Sequence, residues 1–171
     1  MFKQLFSALV LAAACTPALA IDYVVTRSDD PNPDAIGFPS CRPEGGCSVR
    51  QAILASNKRR GADRIILKRA TTYTLTRATH SATVDGRSGP LLATDELEIV
   101  GTRSDRTRIE WPNNLNHSHS VLVHGLADSH TISPPLKLRN LTIARGRGVT
   151  GGCLSTHNGT ELGLYGVVIE N

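Results

Sequence analysis

The stretch Leu97-Glu98-Ile99-Val100-Gly101 shows the pattern that decides the fold, because two apolar side chains alternate with their neighbours and a glycine follows. Alternate residues of a β-strand point to the same side, so Leu97 and Ile99 would share one face. Similar pairs recur along the chain: Tyr73 and Leu75, Leu97 and Ile99, Val121 and Val123, Leu141 and Ile143, Val167 and Ile169. Their spacing predicts a repeat of roughly 24 residues.

The repeat favours stacked coils over hairpins or βαβ units. Between the pairs lie further short strand patterns and turn-rich stretches such as residues 112–114 and 146–148, and no helical pattern. A single coil cannot bury its apolar face, whereas stacked coils share one core. The sequence therefore predicts an all-β parallel β-helix, a solenoid of about five coils. Glycines beside the pairs are expected at tight corners: Gly101, Gly125, Gly146 and Gly166.

Composition and charge are consistent with a one-domain β-protein. Aromatic residues make up 4% of the 171 residues and hydrophobic residues 40%, so Val, Ile and Leu must supply most of the core. The net charge is +4, and basic residues are scattered apart from Lys58-Arg59-Arg60. Because they are not interleaved with aromatics, no nucleic-acid partner is expected.

The N-terminal segment resembles a secretory signal peptide. Residues 1–3 are basic at Lys3, residues 5–14 are apolar, and Ala18-Leu19-Ala20 has the small residues of a cleavage site. We expect residues 1–20 to be removed and the protein to be secreted or held at the cell surface. The apolar run is shorter than the roughly 20 residues that a membrane span requires. A lipoprotein signal at Cys15 is the second interpretation.

Three further cysteines remain after such a cleavage. Cys41 and Cys47 are separated by a Pro- and Gly-containing stretch, and in an oxidising compartment they are expected to form a disulfide. Two free thiols are the alternative, because spacing alone does not establish disulfide geometry. Cys153 would be left unpaired, and its strand-like surroundings favour a small buried hydrophobe over a reactive thiol.

One helix is predicted. Ser48 can cap a helix that runs through Asn57, in which Val49, Ala52 and Ile53 lie on one face. Gly61 would stop it. Such a short amphipathic helix before a series of strands is typical of a piece that covers the end of a solenoid core.

The helix sequence resembles a known family. Cys47, Ser48, Val49, Arg50, Gln51, Ala52 and Ile53, continuing to Asn57, are similar to the Cys-Ser-Leu-Arg-Glu-Ala (CSLREA) motif of secreted bacterial right-handed β-helix proteins. The resemblance implies a right-handed, pectate-lyase-like solenoid, with an N-terminal cap at residues 21–64 and coils at 65–171. The motif implies no catalytic role. Gln51 replaces the family's Glu, so a hydrogen bond from Gln51 to Arg50 could replace an ion pair.

Neither the acidic residues nor the histidines form a recognisable catalytic set. Asp95, Glu96 and Glu98 are the densest acidic group, and Glu96 and Glu98 could share an exposed strand face with Arg139 nearby. A solvated outer face explains them better than catalysis. The histidines lack a diagnostic metal spacing, so neither a metal nor another cofactor is predicted: His117, His119, His124 and His130.

The repeat and the export signal favour a module that binds carbohydrate or another extended surface ligand. One alternative is a polysaccharide lyase or hydrolase whose catalytic coils lie outside this chain. The other is a structural fragment of a larger adhesin. After Val167-Val168-Ile169 no capping element follows, so we expect either a longer native product or self-association through residues 152–171.

Overall fold

A computed structural model of the chain describes residues 19–33, 41, 46–68, 70–78, 85–126, 132–149 and 151–171. The expected signal segment up to residue 18, including Cys15, and His130 lie outside these residues. Among the described residues, no helix has both the length and the hydrophobicity needed to cross a membrane.

Most of the described secondary structure is β. The described part of the chain contains one helix, α1 (Val49–Ser56), and twelve short strands. The strands are β1 (Asp22–Val25), β2 (Asp63–Leu67), β3 (Thr72–Thr74), β4 (Leu91–Ala93), β5 (Leu97–Val100), β6 (Arg108–Glu110), β7 (Leu122–His124), β8 (Leu136–Arg139), β9 (Thr142–Ala144), β10 (Leu154–Thr156), β11 (Leu162–Tyr165) and β12 (Val168–Glu170).

The strands form three sheets in which every strand pair is parallel. Sheet A has the order β1-β2-β5-β8-β11, sheet B the order β3-β6-β9-β12, and sheet C the order β4-β7-β10. From β2 onward the chain visits sheets A, B and C in that order three times, and then A and B once more. From β5 onward each strand therefore pairs with a strand from the preceding round, as the predicted stacking requires.

The predicted repeat length is wrong. Strands that stack in sheet B align Tyr73, Ile109, Ile143 and Ile169, and the intervals between these positions are unequal, the first two being much longer than predicted. The pair at Leu97 belongs to sheet A and the pair near Val121 to sheet C. Because apolar alternation looks the same in every strand, it does not identify the sheet to which a strand belongs.

The expected count of about five coils matches only sheet A, in which five strands stack. The described residues make three complete rounds, from β2 to β10, with β1 before them and β11 and β12 after them. The inward positions also shift in β7, where Leu122 and His124 are buried while Val123 is partly exposed. Val121 is buried just ahead of that strand.

The core consists of aligned apolar side chains from successive rounds. Ile65, Ile99 and Leu138 stack in sheet A, and each is fully buried. Aliphatic residues dominate, as the composition predicted, and each buried side chain contributes about 1.5–3 kcal/mol. Large aromatics complete the filling, since Trp111 and Tyr73 are at most 1% exposed.

Helix α1 begins with a capping box. The Gln51 backbone N–H donates to the Ser48 side chain, and the Gln51 side chain accepts from the Ser48 N–H at 3.0 Å. The helix ends at Ser56, well before Gly61, with Asn57 as its C-cap. All eight helical residues are buried, and the helix packs against β1, β2 and β4. The predicted apolar face is buried as expected, but the polar side chains of Arg50 and Gln51 are buried as well, because they find partners inside the protein.

The disulfide joins Cys41 to Cys47, with Cα atoms 5.2 Å apart, which confirms the predicted pairing. It lies directly before the helix cap at Ser48. Cys47 also pairs with Val25 in an isolated parallel bridge, so this cysteine is attached to the end of β1. Cys153 is a free, buried thiol, as expected.

Candidate ligand-binding cleft

The C-terminal ends of three neighbouring strands of sheet B meet on one side of the molecule. Strands β6, β9 and β12 pair in parallel with their last residues in register. The residues that follow, Trp111, Arg145 and Asn171, therefore begin adjacent segments. Parallel sheets commonly place binding sites at such strand ends because successive loops converge there.

These segments enclose a cleft of about 420 Å³, which we name the arginine cleft. Its volume lies within the range of small-molecule sites. One wall is open at Gly152. A Cβ at this position would project into free space, with only Asn171 Oδ1 within 4 Å, at 3.9 Å. The residues of the cleft that bear on its chemistry are Asn113, His117, Arg145, Arg147, Gly152 and Asn171.

Arg145 is held in an unusual conformation at the edge of the cleft. Its φ of 60° lies in the left-handed region, which is uncommon for a residue other than glycine. Its backbone N–H donates to the Glu170 carbonyl at 3.0 Å, and its Nη1 donates to Glu110 Oε1 at 2.5 Å. A strained residue persists only where its surroundings fix it, and these contacts do so.

The cleft residue Arg145 belongs to a network of four charged side chains on the outer face of sheet B. Arg108 pairs with both Glu110 and Glu170, and Glu110 pairs with Arg145 as well. Glu110 is buried, with 7% of its surface exposed. Each charge in the network therefore has a partner of opposite sign, which rigidifies the surroundings of Arg145.

Arg147 differs from these arginines because it has no ion pair within the described part of the chain. Its backbone N–H donates to the His119 carbonyl at 2.8 Å, while its side chain is exposed at the cleft. Burial lowers the pKa of His117, and the positive charge of Arg147 lowers it further. His117 is therefore neutral at pH 7, and Arg147 is an uncompensated cation of the cleft.

An aromatic contact fixes the His117 ring. The centroids of the Trp111 and His117 rings are 4.8 Å apart, and the buried Trp111 donates from Nε1 to the Ser120 carbonyl at 3.0 Å. His117 Nδ1 accepts the His119 N–H at 3.4 Å, so the neutral imidazole carries its proton on Nε2. The cleft thus combines an imidazole N–H, a free guanidinium and the amides of Asn113 and Asn171, groups that bind hydroxyl and carboxylate groups.

The predicted acidic group does not form a joint site. Asp95 accepts the N–H groups of Glu96 and Gly61 at 2.8 and 3.2 Å, so it fixes a turn. Glu98 pairs with Arg139, as the sequence suggested. Glu96 and Glu98 border a recess of about 80 Å³. Asp95 therefore stabilises a turn, and Glu98 forms an ion pair on the outer face of sheet A.

The histidines do not form a metal site within the described residues. No group of three or more His, Cys, Asp or Glu side chains there is placed to hold a metal ion. His117 and His119 both lie near Trp111, with ring centroids 4.8 and 6.2 Å away. His124 is fully buried and its Nε2 lies 2.6 Å from the Pro134 carbonyl.

The residues of the CSLREA-like motif have structural positions. Arg50 binds Asp30 instead of Gln51, so the expected Gln51 to Arg50 hydrogen bond is wrong. Gln51 is occupied by the helix cap. Asn57 binds the Leu92 carbonyl and the Thr94 N–H at 2.7 and 2.9 Å, which attaches the helix end to β4.

Sequence reasoning missed Arg145 and Arg147. The signal that could have found them is Arg145-Gly146-Arg147-Gly148, in which two cations alternate with glycines directly after a strand. The wrong repeat length concealed their position, because it did not align β6, β9 and β12. Comparison of the chain with protein families, with characterised proteins and with solved structures finds no match.

Proposed function

We propose that the chain is an exported right-handed parallel β-helix of the CSLREA type that binds an extended carbohydrate in the arginine cleft. The constant order in which the chain visits sheets A, B and C supports the solenoid. The buried helix α1, which packs on strands of the first round, supports the role of the motif as a cap.

Arg147, which lines the cleft and has no ion pair within the described residues, is the observation that carries the binding role. A guanidinium offers several N–H donors in a planar fork that matches carboxylates and vicinal oxygen atoms. Asn113, Asn171 and the neutral His117 add donors and acceptors suited to sugar hydroxyl groups. A cleft rather than a flat strand face is therefore the proposed contact surface.

Calorimetry on the exported chain tests this function. The ligands are oligogalacturonates, their methyl esters and neutral oligosaccharides of the same length. We expect Arg147→Ala to weaken binding about 10- to 100-fold, because it removes charge-assisted hydrogen bonds. The matched control is Arg106→Ala, which removes an arginine whose side chain is 61% exposed and does not line the cleft. Equal affinities of the two variants, or no binding of any glycan, would contradict the proposal.

The polysaccharide lyase or hydrolase remains the second candidate. Glu110 and Glu170 lie on strands two apart in sheet B, and Glu110 pairs with the cleft residue Arg145, so the two could supply carboxylates beside the cleft. Their arginine partners favour binding over catalysis, because a catalytic carboxylate must exchange protons or attack a sugar. An assay for released uronate or reducing ends, with and without calcium, distinguishes the two, since turnover would replace the binding module with an enzyme.

We also propose that a second copy of the chain associates through residues 152–171. Among the residues that the structure describes, β10, β11 and β12 are the outer strands of their sheets, and no further strand pairs with their outer edges. Five apolar side chains on β11 and β12 are 37–48% exposed: Leu162, Leu164, Tyr165, Val168 and Ile169. A second copy can present the same face to this apolar surface, because a two-fold interface is formed by the same surface of both partners.

A further inference from the structure

Asp63, the first residue of β2, is a buried carboxylate with an incomplete set of partners. Only 1% of its surface is exposed. Its Oδ1 accepts the Ile21 backbone N–H at 2.9 Å. Neither its Oδ2 nor the buried Ser56 Oγ has a hydrogen bond of ordinary geometry within the described part of the chain, so Ser56 acts on the carboxyl only as a nearby neutral hydroxyl. A carboxylate buried in this way is costly unless a positive group pairs with it.

The groups around Asp63 do not supply that partner. Burial raises the pKa of Asp63, and the carboxylate of Asp95 adds to the rise. The Ile21 N–H, the neutral Ser56 hydroxyl and Arg59 oppose the rise without cancelling it. Arg59 is exposed and also hydrogen-bonds to Tyr23, whose pKa is raised by burial and by Asp63. The environment therefore favours either a protonated carboxyl or an added positive charge at this position.

The partner atom of Asp63 lies at the expected cleavage site. Leu19 is 81% exposed and Ala20 is exposed, so a peptidase can reach the bond between Ala20 and Ile21. Ile21 itself is fixed, because its carbonyl accepts the Arg64 N–H at 2.8 Å and its side chain packs partly against the core. Its nitrogen would remain beside Asp63 after cleavage.

Hydrolysis would change the chemistry of this one nitrogen atom. Water adds its hydroxyl to the Ala20 carbonyl carbon and a proton to the Ile21 nitrogen, the C–N bond breaks, and a solvent proton completes the α-ammonium group. An amide with one N–H donor is thereby replaced by a cation with three. The additional donors are adjacent to the carboxylate whose Oδ2 lacks a partner.

We propose that Asp63 is the receptor for the α-ammonium group of Ile21, so that removal of the leader after Ala20 completes the fold with a buried ion pair. This inference rests on the proposed export and processing of the chain. Before cleavage the buried carboxylate is uncompensated, and the folded state is weakened. After cleavage the same carboxylate holds the first strand of sheet A in place.

Four exported proteins test the proposal: the wild type, Asp63→Asn, a variant with one glycine inserted between Ala20 and Ile21, and the combination of both changes. The insertion leaves an amide at Ile21 and moves the ammonium group outward into solvent. Asparagine retains the acceptor for the Ile21 N–H without the charge. Mass spectrometry gives the N-terminus of each product, and thermal unfolding between pH 6 and pH 10 gives its stability.

We expect Asp63→Asn to lower the melting temperature of the processed wild type by roughly 5 °C or more. The same substitution in the insertion variant is expected to leave its melting temperature unchanged or to raise it. An α-ammonium group titrates at about pH 8 in an unfolded chain, and a carboxylate partner raises its pKa in the folded state. The stabilisation by the Ile21 ammonium group is therefore full below about pH 8. It is lost as the pH rises through the raised pKa of that group. We expect this pH dependence in the wild type and not in the other three proteins. Neighbouring Asp22 is already paired with Arg64 and does not contribute to the difference.

The outcomes separate the two proposals. A product that begins at Ile21 but shows the same Asp63→Asn effect with and without the inserted glycine overturns the ammonium receptor and leaves export intact. A product that begins at Cys15, or a chain that is not exported, overturns the processing on which the inference rests.

Discussion

Arg50 and Asp30 form a buried, two-pronged ion pair in which Nε and Nη2 donate to the two carboxylate oxygens at 2.7 and 3.0 Å. Their side chains are 1% and 2% exposed. The remaining N–H groups of Arg50 donate to backbone carbonyls within residues 86–90, at 2.9 to 3.2 Å. All five donors are satisfied, so the arginine connects α1 to two distant loops.

Removal of this arginine should destabilise the fold strongly. Arg50→Ala leaves Asp30 buried without its partner, and we expect a loss of about 3–5 kcal/mol in the free energy of unfolding. Urea unfolding followed by circular dichroism measures the loss. Arg103→Ala, which breaks a pair whose side chains are 64% and 56% exposed, is the control and should change stability little. Similar losses of unfolding free energy in the two variants would show that the buried pair stabilises the fold no more than the exposed pair does.

Gly101 is expected to tolerate no side chain. A Cβ there would lie 2.3 Å from the Asn140 carbonyl oxygen and 2.9 Å from the Leu141 Cβ, so Gly101→Ala should cost about 1–3 kcal/mol. In Gly163→Ala the nearest atom belongs to the exposed side chain of Tyr165, which can move away. Thermal unfolding of both variants checks the prediction, and an unchanged melting temperature for Gly101→Ala would contradict it.

His124 should make the stability depend on pH. The ring is fully buried, and burial lowers its pKa below the ordinary value. The folded state therefore binds the proton less readily than the unfolded chain, so stability is full above about pH 6.5 and falls as the pH drops through the lowered pKa. His124→Gln should flatten this decline in unfolding free energy between pH 7 and pH 4. An unchanged slope would assign the decline to other groups.

The exposed face of β11 and β12 should govern the oligomeric state. Ile169→Lys places a charge in an apolar surface that is 46% exposed at this residue, so we expect monomers by light scattering at concentrations where the wild type self-associates. Val149→Lys is the control, because Val149 is 94% exposed and belongs to another loop. A wild type that stays monomeric at all concentrations would refute the association.

Local features of the fold could be predicted where one or two neighbours determine them. Ser48 and Gln51 are neighbours across one helical turn, and the capping box depends on that spacing alone. The corner glycines are similar: a Cβ at Gly125 or Gly146 would lie 2.1 or 2.4 Å from a neighbouring atom, which confirms the predicted close approaches. In such cases the sequence contains the physical cause.

Long-range features could not be predicted in the same way. The residue that stacks on Ile109 is Ile143, and two strands of the other sheets, β7 and β8, lie between them in the chain. Asp30 reaches Arg50 through a loop whose sequence shows no pattern that points to the helix. The arginine cleft depends on the same stacking, so Arg147 and His117, which are far apart in the sequence, could be brought together only after the sheet order was known.

The stacking of the strands makes the length of the molecule adjustable. Helix α1 packs on β1, β2 and β4, while in sheet A the strands β5 and β8 are each bonded to the strand of the round before and of the round after. Duplication or loss of the round between Ile99 and its stacked partner Leu138, which contains none of the strands that α1 packs against, would leave each remaining strand of sheet A with a parallel neighbour. A round in the middle of the stack can therefore be added or removed without a change to the strands that α1 covers.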